Sequence, residues 1–418
     1  MSFNTVSVIG LGYIGLPTAA MLASKKKKVI GVDINQNTVD IINSGNIHIV
    51  EPELDKIVKK AVAEGFLKAT TTPEPADAFL IAVPTPFLSK KDESSVPKPD
   101  LTYIETAAKS VAKVLKKGDL VILESTSPVG ATEQMSNWLA EERADLTFPH
   151  THGEDSDIRI SYCPERVLPG HVVRELVEND RVIGGMTDRC SKTSIQFYKT
   201  FVKGECLITN TNTAEMVKLT ENSCRDMQIA FANELSIICD NFGIDVWELI
   251  KLANRHPRIN ILKPGPGVGG HCIAVDPWFI VESSKGEAKL IKTARERNLY
   301  KQNWTISQIE NAINNWKDQK KLNPKVALFG LTFKPDIDDL RESPALDIAK
   351  FIVSKYDHIV CVEPNLSVGT FSNEKINIVD VDQALEVSDI IVFLVAHESF
   401  KQICVDGLNV IDFCGVSK

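Results

Sequence analysis

The sequence predicts an α/β protein in which two parallel-sheet domains are joined by a helical middle. Three observations predict it. Short β-branched runs alternate with helical patterns from the N-terminus to about residue 210. A stretch free of proline and glycine, Thr213 to Phe242, then breaks the alternation. From Lys325 the alternation returns. Strand–helix alternation of this kind gives parallel sheets covered by helices on both faces.

The first part offers strands at Val6–Gly10, Lys28–Asp33, Ala78–Val83, Leu120–Ser125, Ile158–Cys163, Arg181–Gly184 and Cys206–Thr209. The middle opens with Asn212 and Glu215 at capping-box spacing, and Gly243 follows its long helix. A Pro- and Gly-rich loop from Pro257 to Pro277 separates that helix from a second one, about Glu287 to Lys317. The last part offers strands at Val326–Gly330, Ile359–Val362, Ile376–Val379, Ile390–Val395 and Val410–Phe413. Boundaries at 1–210, 211–318 and 319–418 follow. The two sheet domains look internally related, since Ser7-Val-Ile-Gly-Leu-Gly12 resembles Ala327-Leu-Phe-Gly-Leu-Thr332. The second copy lacks the later glycines, so it is not expected to bind a dinucleotide in the same way. Ser89–Lys98 is polar and reads as a surface loop. Lys25–Lys28 reads as a solvated helix C-terminus.

Composition excludes several classes. Of 418 residues, 43% are hydrophobic and 24% charged, the balance of a globular protein. A formal net charge of -8 argues against a nucleic-acid partner. No apolar run reaches the ~18 residues needed to span a bilayer, and no basic segment precedes Val6, so neither a membrane span nor a signal peptide is expected. The nine cysteines are odd in number and contain no C-x-x-C pair. That usage fits a reducing, cytoplasmic setting and argues against disulfides and zinc. His150-x-His152 lacks the surroundings of a metal site, and no metal is expected.

Two constellations carry chemistry. Gly10-x-Gly12-x-x-Gly15 follows the first strand directly and opens a helix, and Asp33 ends the second strand 18 residues later. Gly10 permits the tight turn, Gly12 admits the pyrophosphate, Gly15 lets helix pack on strand, and the helix N-terminus supplies N–H groups. Asp33 would accept from the adenosine ribose and repel a 2′-phosphate, favouring NAD over NADP. Together these features make a Rossmann-like NAD-binding domain. Thr85 and Thr126 lie where two further strands stop, where a ligand contact and a turn-stabilising hydroxyl are both open readings. The second constellation is Gly265-Pro-Gly267-Val-Gly269-Gly270-His271-Cys272, with Asp276 four residues on. Glycines let the backbone crowd a ligand and leave Cys272 accessible, which favours a nucleophile over a core thiol. Lys218, Asn222 and Arg225 share one face of the long helix. Pro164-Glu165-Arg166 follows another strand end, and Arg255-His256-Pro257-Arg258 leads into the glycine loop.

These residues resemble the UDP-glucose/GDP-mannose dehydrogenase family from Val6 to about Leu346. The match runs through Gly10-x-Gly12-x-x-Gly15-Leu-Pro, Ser125-Thr126-x-Pro128-x-Gly130-x-Thr132 and Pro164-Glu165-Arg166-x-x-Pro169-Gly170. It continues in Gly269-Gly270-His271-Cys272-x-x-x-Asp276 and Phe333-Lys334-Pro335-x-x-Asp338-Asp339-x-Arg341-Glu342-Ser343. Thr220-Glu-Asn-Ser and Ala253-Asn-Arg-His-Pro257 look like the branch acting on UDP-N-acetyl-D-mannosamine. The last 70 or so residues match less clearly, and Glu363–Lys375 holds no motif.

The resemblance implies two Rossmann-like domains, a homodimer built on the middle helices, and oxidation of the C6 alcohol of a UDP-sugar to a carboxylate. Two hydrides pass to NAD, and Cys272 holds the aldehyde as a thiohemiacetal and then as a thioester. It implies that Lys218 and Asn222 stabilise thiolate and oxyanions, and that Asp276 and Glu165 are candidates to activate water. It gives Tyr13, Ile14, Asp33, Thr85, Thr126 and Arg341 to NAD. To the nucleotide sugar it gives Arg166, Val167, Arg225, His256, Arg258, Gly269, Phe333 and Lys334. The biological role implied is supply of an acidic amino sugar for a surface polysaccharide, such as enterobacterial common antigen or capsule. The same chemistry on UDP-N-acetylglucosamine or UDP-glucose, a two-electron hydroxyacid dehydrogenase and a non-enzymatic NAD sensor are the competing readings. The last two leave Cys272 without a purpose, and NADH per sugar separates them.

Overall fold

The computed structural model describes residues 3–49, 51–88, 96–168, 170–366, 371 and 375–417. The chain packs as two compact units, Met1–Thr220 and Glu221–Lys418. Much of the expected polar loop Ser89–Lys98, and Pro169, lie outside the described residues.

The first unit is built on one sheet of eight strands: β1 (Thr5–Ile9), β2 (Lys28–Val32), β3 (Leu67–Thr70), β4 (Ala78–Ile81), β5 (Leu120–Leu123), β6 (Arg159–Tyr162), β7 (Arg181–Gly185) and β8 (Cys206–Asn210). Their order is β3-β2-β1-β4-β5-β6-β7-β8. The central strands are apolar on both faces: all four residues of β4 and all four of β5 are fully buried. Each such Leu or Ile contributes roughly 1.5–3 kcal/mol by leaving water, which holds the strands between their helical layers. One junction departs from the parallel expectation. β7 runs antiparallel to β6, paired through Ser161↔Gly185 and Tyr162↔Gly184 and continued by Met186 N–H donating to Ile160 O at 3.1 Å. β3 was not among the expected strands. Its burial alternates, with Leu67 and Ala69 inside and Lys68 outside, and four residues with a central lysine carry little strand signal.

The second unit has a parallel sheet of β9 (Val326–Phe329), β10 (Ile359–Val362), β11 (Ile390–Phe393) and β12 (Asn409–Asp412), in the order β10-β9-β11-β12. The expected strand Ile376–Val379 is reduced to a single bridge, Cys361↔Ile378, on the edge of β10. Two helices of 32 residues dominate the middle of the chain, Thr211–Phe242 and Lys289–Lys320.

The expected capping box does not form. Asn210 Oδ1 takes the Thr213 N–H at 2.8 Å instead. Glu215 turns to the start of another helix, Ala131–Glu142. There it accepts from Gly130 N at 2.6 Å, Thr132 N at 2.8 Å and Thr132 Oγ1 at 2.6 Å. A buried carboxylate gains more from three donors at a positive helix end than from one amide of its own helix.

The internal relation extends beyond the motif. In each unit the opening strand lies between the second strand on one side and a later strand on the other. Gly10 and Gly330 take the same left-handed turn, at φ +91° and +92°. The next residue then donates its N–H to a carboxylate beyond the second strand, Leu11 to Asp33 and Leu331 to Glu363.

Candidate active site

In the first unit the turn after β1 and the end of β2 build one site. Asp33 Oδ2 accepts from Leu11 N at 3.0 Å and Oδ1 from Asn35 N at 2.9 Å. Each oxygen keeps lone pairs for a ligand, and the half-buried carboxylate is held in one orientation. A β-carbon on Gly15 would collide with the Gly10 carbonyl, so the helix Gly15–Ser24 starts hard against the turn. Tyr13 and Ile14 lie at that start, half-buried, and Gly12 is exposed. No side chain caps the helix and no acidic residue occupies its first turn. Its N-terminal field is therefore not offset by a carboxylate, which fits a pyrophosphate. Thr85 Oγ1 donates to Thr126 O at 2.5 Å, and Ser125 Oγ to Val83 O at 2.7 Å. These bonds tie the ends of β4 and β5 together at the carboxyl edge of the sheet.

Glu165 lies deeper than its motif implied, with 6% of its surface exposed. Its Oε2 pairs with Arg181 Nη1 at 2.9 Å and its Oε1 accepts from Arg166 N at 2.7 Å. The Arg181 guanidinium also lies over the Tyr198 ring, and Tyr198 donates to Glu124 at 2.6 Å. Burial, with Glu165 beside it, pushes the Glu124 carboxyl up to about 7 against the pull of Arg181 and Tyr198. Burial pushes the neighbouring Cys163 thiol up to about 12, so this thiol is no nucleophile. Arg166 itself reaches Asp180 O at 3.3 Å, with Val167 half-buried beside it.

In the second unit Cys272 is exposed. Its carbonyl accepts from Val275 N at 3.1 Å and Asp276 N at 2.9 Å, a tight turn into the helix Asp276–Ser283. Asp276 is buried at that helix start and accepts from Asn222 Nδ2 at 2.5 Å. The glycine loop is pressed against the segment after β9. Gly270 has φ +83°, its N–H donates to Arg341 O at 3.1 Å, and a β-carbon there would lie 2.7 Å from the Phe333 ring. Gly269 would collide with Glu342 O in the same way.

A buried polar chain fixes the loop from behind. Arg295 Nη1 and Asn298 Nδ2 donate to Asp226 Oδ1 at 2.6 and 2.8 Å. Asn233 Nδ2 donates to Asn298 Oδ1 at 2.9 Å, and Gly265 N to Asn233 Oδ1 at 2.9 Å.

Lys218 and Asn222 are half-buried on the long helix, and Arg225 one turn on is exposed. His256 and Arg258 are exposed, with Arg258 N on His256 Nδ1 at 3.4 Å. Arg341 is paired with Asp339 at 2.7 Å, and Lys334 is half-buried.

Residues 4–202 match the NAD binding domain of the UDP-glucose/GDP-mannose dehydrogenase family, 212–300 its central domain and 327–414 its UDP binding domain. The chain is 62% identical to UDP-N-acetyl-D-mannosamine dehydrogenase of Campylobacter jejuni over 99% of each chain. The chain belongs to the UDP-glucose/GDP-mannose dehydrogenase family. It is therefore an NAD-dependent nucleotide-sugar dehydrogenase. It is also 58% identical to NDP-N-acetyl-D-galactosaminuronic acid dehydrogenase of Ralstonia solanacearum, over 98% of this chain and 94% of that one. Among solved structures it is similar to the UDP-D-ManNAc dehydrogenase of Pyrococcus horikoshii, with a TM-score of 0.87, 36% identity and 99% and 96% of the two chains covered.

Motif reading missed three groups in this dehydrogenase: Arg181 with Glu124, Asp226 with Asn298 and Arg295, and Glu363 with His397. Only Glu363 left a signal, an acidic residue just after the second strand of its sheet, as Asp33 is of the first.

Proposed function

We propose that this dehydrogenase oxidises UDP-N-acetyl-D-mannosamine at C6 to the uronate in two steps, with Cys272 as nucleophile. The observation that carries the proposal is the exposed Cys272 on a turn that ends at Asp276, whose carboxylate fixes the Asn222 amide at 2.5 Å. NAD, bound at Gly10–Asp33, supplies the acceptor for one hydride per oxidation. The first oxidation takes a hydride and a proton from the primary alcohol and leaves an aldehyde. The Cys272 thiolate adds to that carbon, forming a C–S bond, and the carbonyl oxygen becomes an alkoxide. Asn222 gives one N–H to Asp276 and keeps a second for this oxyanion, and Lys218 supplies a cation to it. Loss of the second hydride gives a thioester. Water adds to it and the C–S bond breaks, regenerating the thiolate and releasing the acid. Asp276 and Glu165 are the candidate bases for that water, Glu165 held by Arg181 and Arg166 N–H and Asp276 by Asn222.

Arg225, Arg258 and Lys334 are assigned to the diphosphate and the carboxylate-forming end, with Arg166, Val167, His256, Gly269 and Phe333 around the nucleotide sugar. Tyr13, Ile14, Thr85, Thr126 and Arg341 are assigned to NAD. The domain division 1–210, 211–318 and 319–418 is part of the same reading. So is a homodimer through the middle helices, supported by exposed Phe231, Ile238, Phe242, Ile244 and Leu252. An odd count of nine cysteines with no C-x-x-C pair supports a reducing, cytoplasmic setting, where the uronate would feed a surface polysaccharide such as capsule or enterobacterial common antigen.

The second substrate reading is an N-acetylgalactosamine nucleotide, favoured by the Ralstonia relative's name. The test is turnover of UDP-N-acetylmannosamine, UDP-N-acetylgalactosamine, UDP-N-acetylglucosamine, UDP-glucose and GDP-mannose, counting NADH. The expected result is highest kcat/KM on the first, with two NADH per sugar. One NADH per sugar on the best substrate would end the thioester reading.

A further inference from the structure

The segment that leaves β9 carries Phe333 and Lys334, and its two ends are held by one buried cluster from elsewhere in the second unit. Glu363 Oε2 accepts from Leu331 N at 2.7 Å and Thr332 N at 3.2 Å. Its Oε1 accepts from Asn365 N at 3.1 Å and Asn365 Nδ2 at 3.3 Å. His397 Nε2 lies 3.1 Å from Oε2. At the other end of the segment, His397 Nδ1 accepts from Asp336 N at 2.9 Å. That bond decides the tautomer: Nδ1 offers a lone pair, so the ring is neutral and its proton sits on Nε2, donating to Glu363.

The arrangement is enclosed and directional. His397 is 0% exposed and Glu363 3%. Burial raises the Glu363 carboxyl, while the His397 N–H and the Leu331 and Asn365 main-chain N–H groups lower it. Asp336 is held at φ +61°, where side-chain-bearing residues are rare, with its N–H on His397 and its Oδ1 accepting from Glu398 N at 3.0 Å. The held segment is also the wall of the glycine loop, since Phe333 packs on Gly270, two residues before Cys272.

We propose that His397 and Glu363 are positioning residues for the nucleotide sugar, fixing the segment from Leu331 to Asp336 so that Phe333 and Lys334 are presented in one conformation. The proposal rests on the reading of those two residues as substrate contacts. His397 and Glu363 themselves touch no substrate in it. Their effect is on affinity for the nucleotide.

Two amide substitutions, the smaller by one methylene expected to be the milder, separate positioning from core filling against the Phe400 ring, which lies edge-on to His397 at 5.0 Å. His397→Asn retains an acceptor near the Nδ1 position and so keeps the Asp336 bond. His397→Gln retains a donor near the Nε2 position and loses the Asp336 bond. With full-length protein and UDP as the titrated probe, His397→Gln is expected to weaken UDP at least tenfold and to raise the substrate KM similarly. Its kcat should stay within about threefold and NAD affinity should be unchanged. His397→Asn should restore UDP affinity to within about threefold of wild type. Equal losses in both variants, or none in His397→Gln, would overturn the proposal.

Lys334→Ala separates it from the reading beneath. If Lys334→Ala leaves UDP affinity intact, the assignment of the segment to substrate fails. If Lys334→Ala weakens UDP and His397→Gln does not, only the positioning role fails. Should the His397 variants not fold, nitrogen-15 histidine spectra of the wild-type protein still decide. A neutral ring with its proton on Nε2 at pH 7.5 is expected, and a proton on Nδ1 overturns the proposal.

Discussion

Asp33 accepts one backbone N–H on each carboxylate oxygen, so its charge stands at a fixed place beside the turn after β1. A 2′-phosphate brought there meets an anion that cannot turn away. Catalytic efficiency with NAD is expected to exceed that with NADP by at least ~100-fold, about 2.7 kcal/mol in transition-state terms. Equal efficiencies would remove Asp33 from that role. Cys272 is the other residue on which the chemistry turns. Cys272→Ala should lose acid formation while NAD affinity stays at the wild-type value. Cys272→Ser should accumulate a slowly hydrolysed ester, visible in mass spectra as enzyme plus sugar nucleotide. Near-normal production of uronate by Cys272→Ala would rule out the covalent route. Accessibility of this thiol was legible because four glycines lie within the seven residues before it, and the NAD site was legible because strand, turn, helix and acidic residue coincide within 24 residues, Gly10 to Asp33. The commitment of Glu165 to Arg181 was not legible, since the two stand 16 residues apart on different strand ends.

Elements bring their own expectations. The helix Thr211–Phe242 could be foreseen because nothing in it breaks a helix. Its true capping could not, because the partners of Glu215 lie 83 and 85 residues away. On the facing helix Lys289–Lys320, Lys301 is 2% exposed, donates to Ser236 at 2.8 Å and lies 3.6 Å over the Trp304 ring. Burial pushes its amine down to about 7, with Asp240 pulling the other way. The unfolded chain titrates this amine near 10.5, so stability should rise with pH from about 7 to that value and carry the full cost below 7. The ceiling of that cost is roughly 4–5 kcal/mol. Lys301→Met is therefore expected to raise Tm by about 2 °C or more at pH 6, with the gain shrinking by pH 10. A gain that grew with pH would contradict this. At the end of the long helix, Phe242 is 74% exposed. If the proposed homodimer uses that face, Phe242→Asp should yield monomers by sedimentation, and an unchanged dimer would place the interface elsewhere.

At the scale of the whole chain, the residues that would hold NAD through Gly10–Asp33 belong to one compact unit, and Cys272 and Arg258 belong to the other. Arg258→Ala should therefore weaken UDP binding by about tenfold or more and leave NAD binding unchanged when each ligand is titrated alone. An unchanged affinity for UDP would return Arg258 to a solvated surface role. The likeness of the two sheets was visible in two hexapeptides, but the contact of Glu363 with His397, 67 residues beyond Gly330, was not. In the first copy the carboxylate after the second strand is half-buried, with the His48 imidazole near it. In the second the carboxylate is buried, with His397 Nε2 at 3.1 Å. The main-chain turn is alike in both. The same turn thus stands before two different carboxylates, one half-buried beyond β2 and one buried beyond β10 and bonded to a ring from a distant loop.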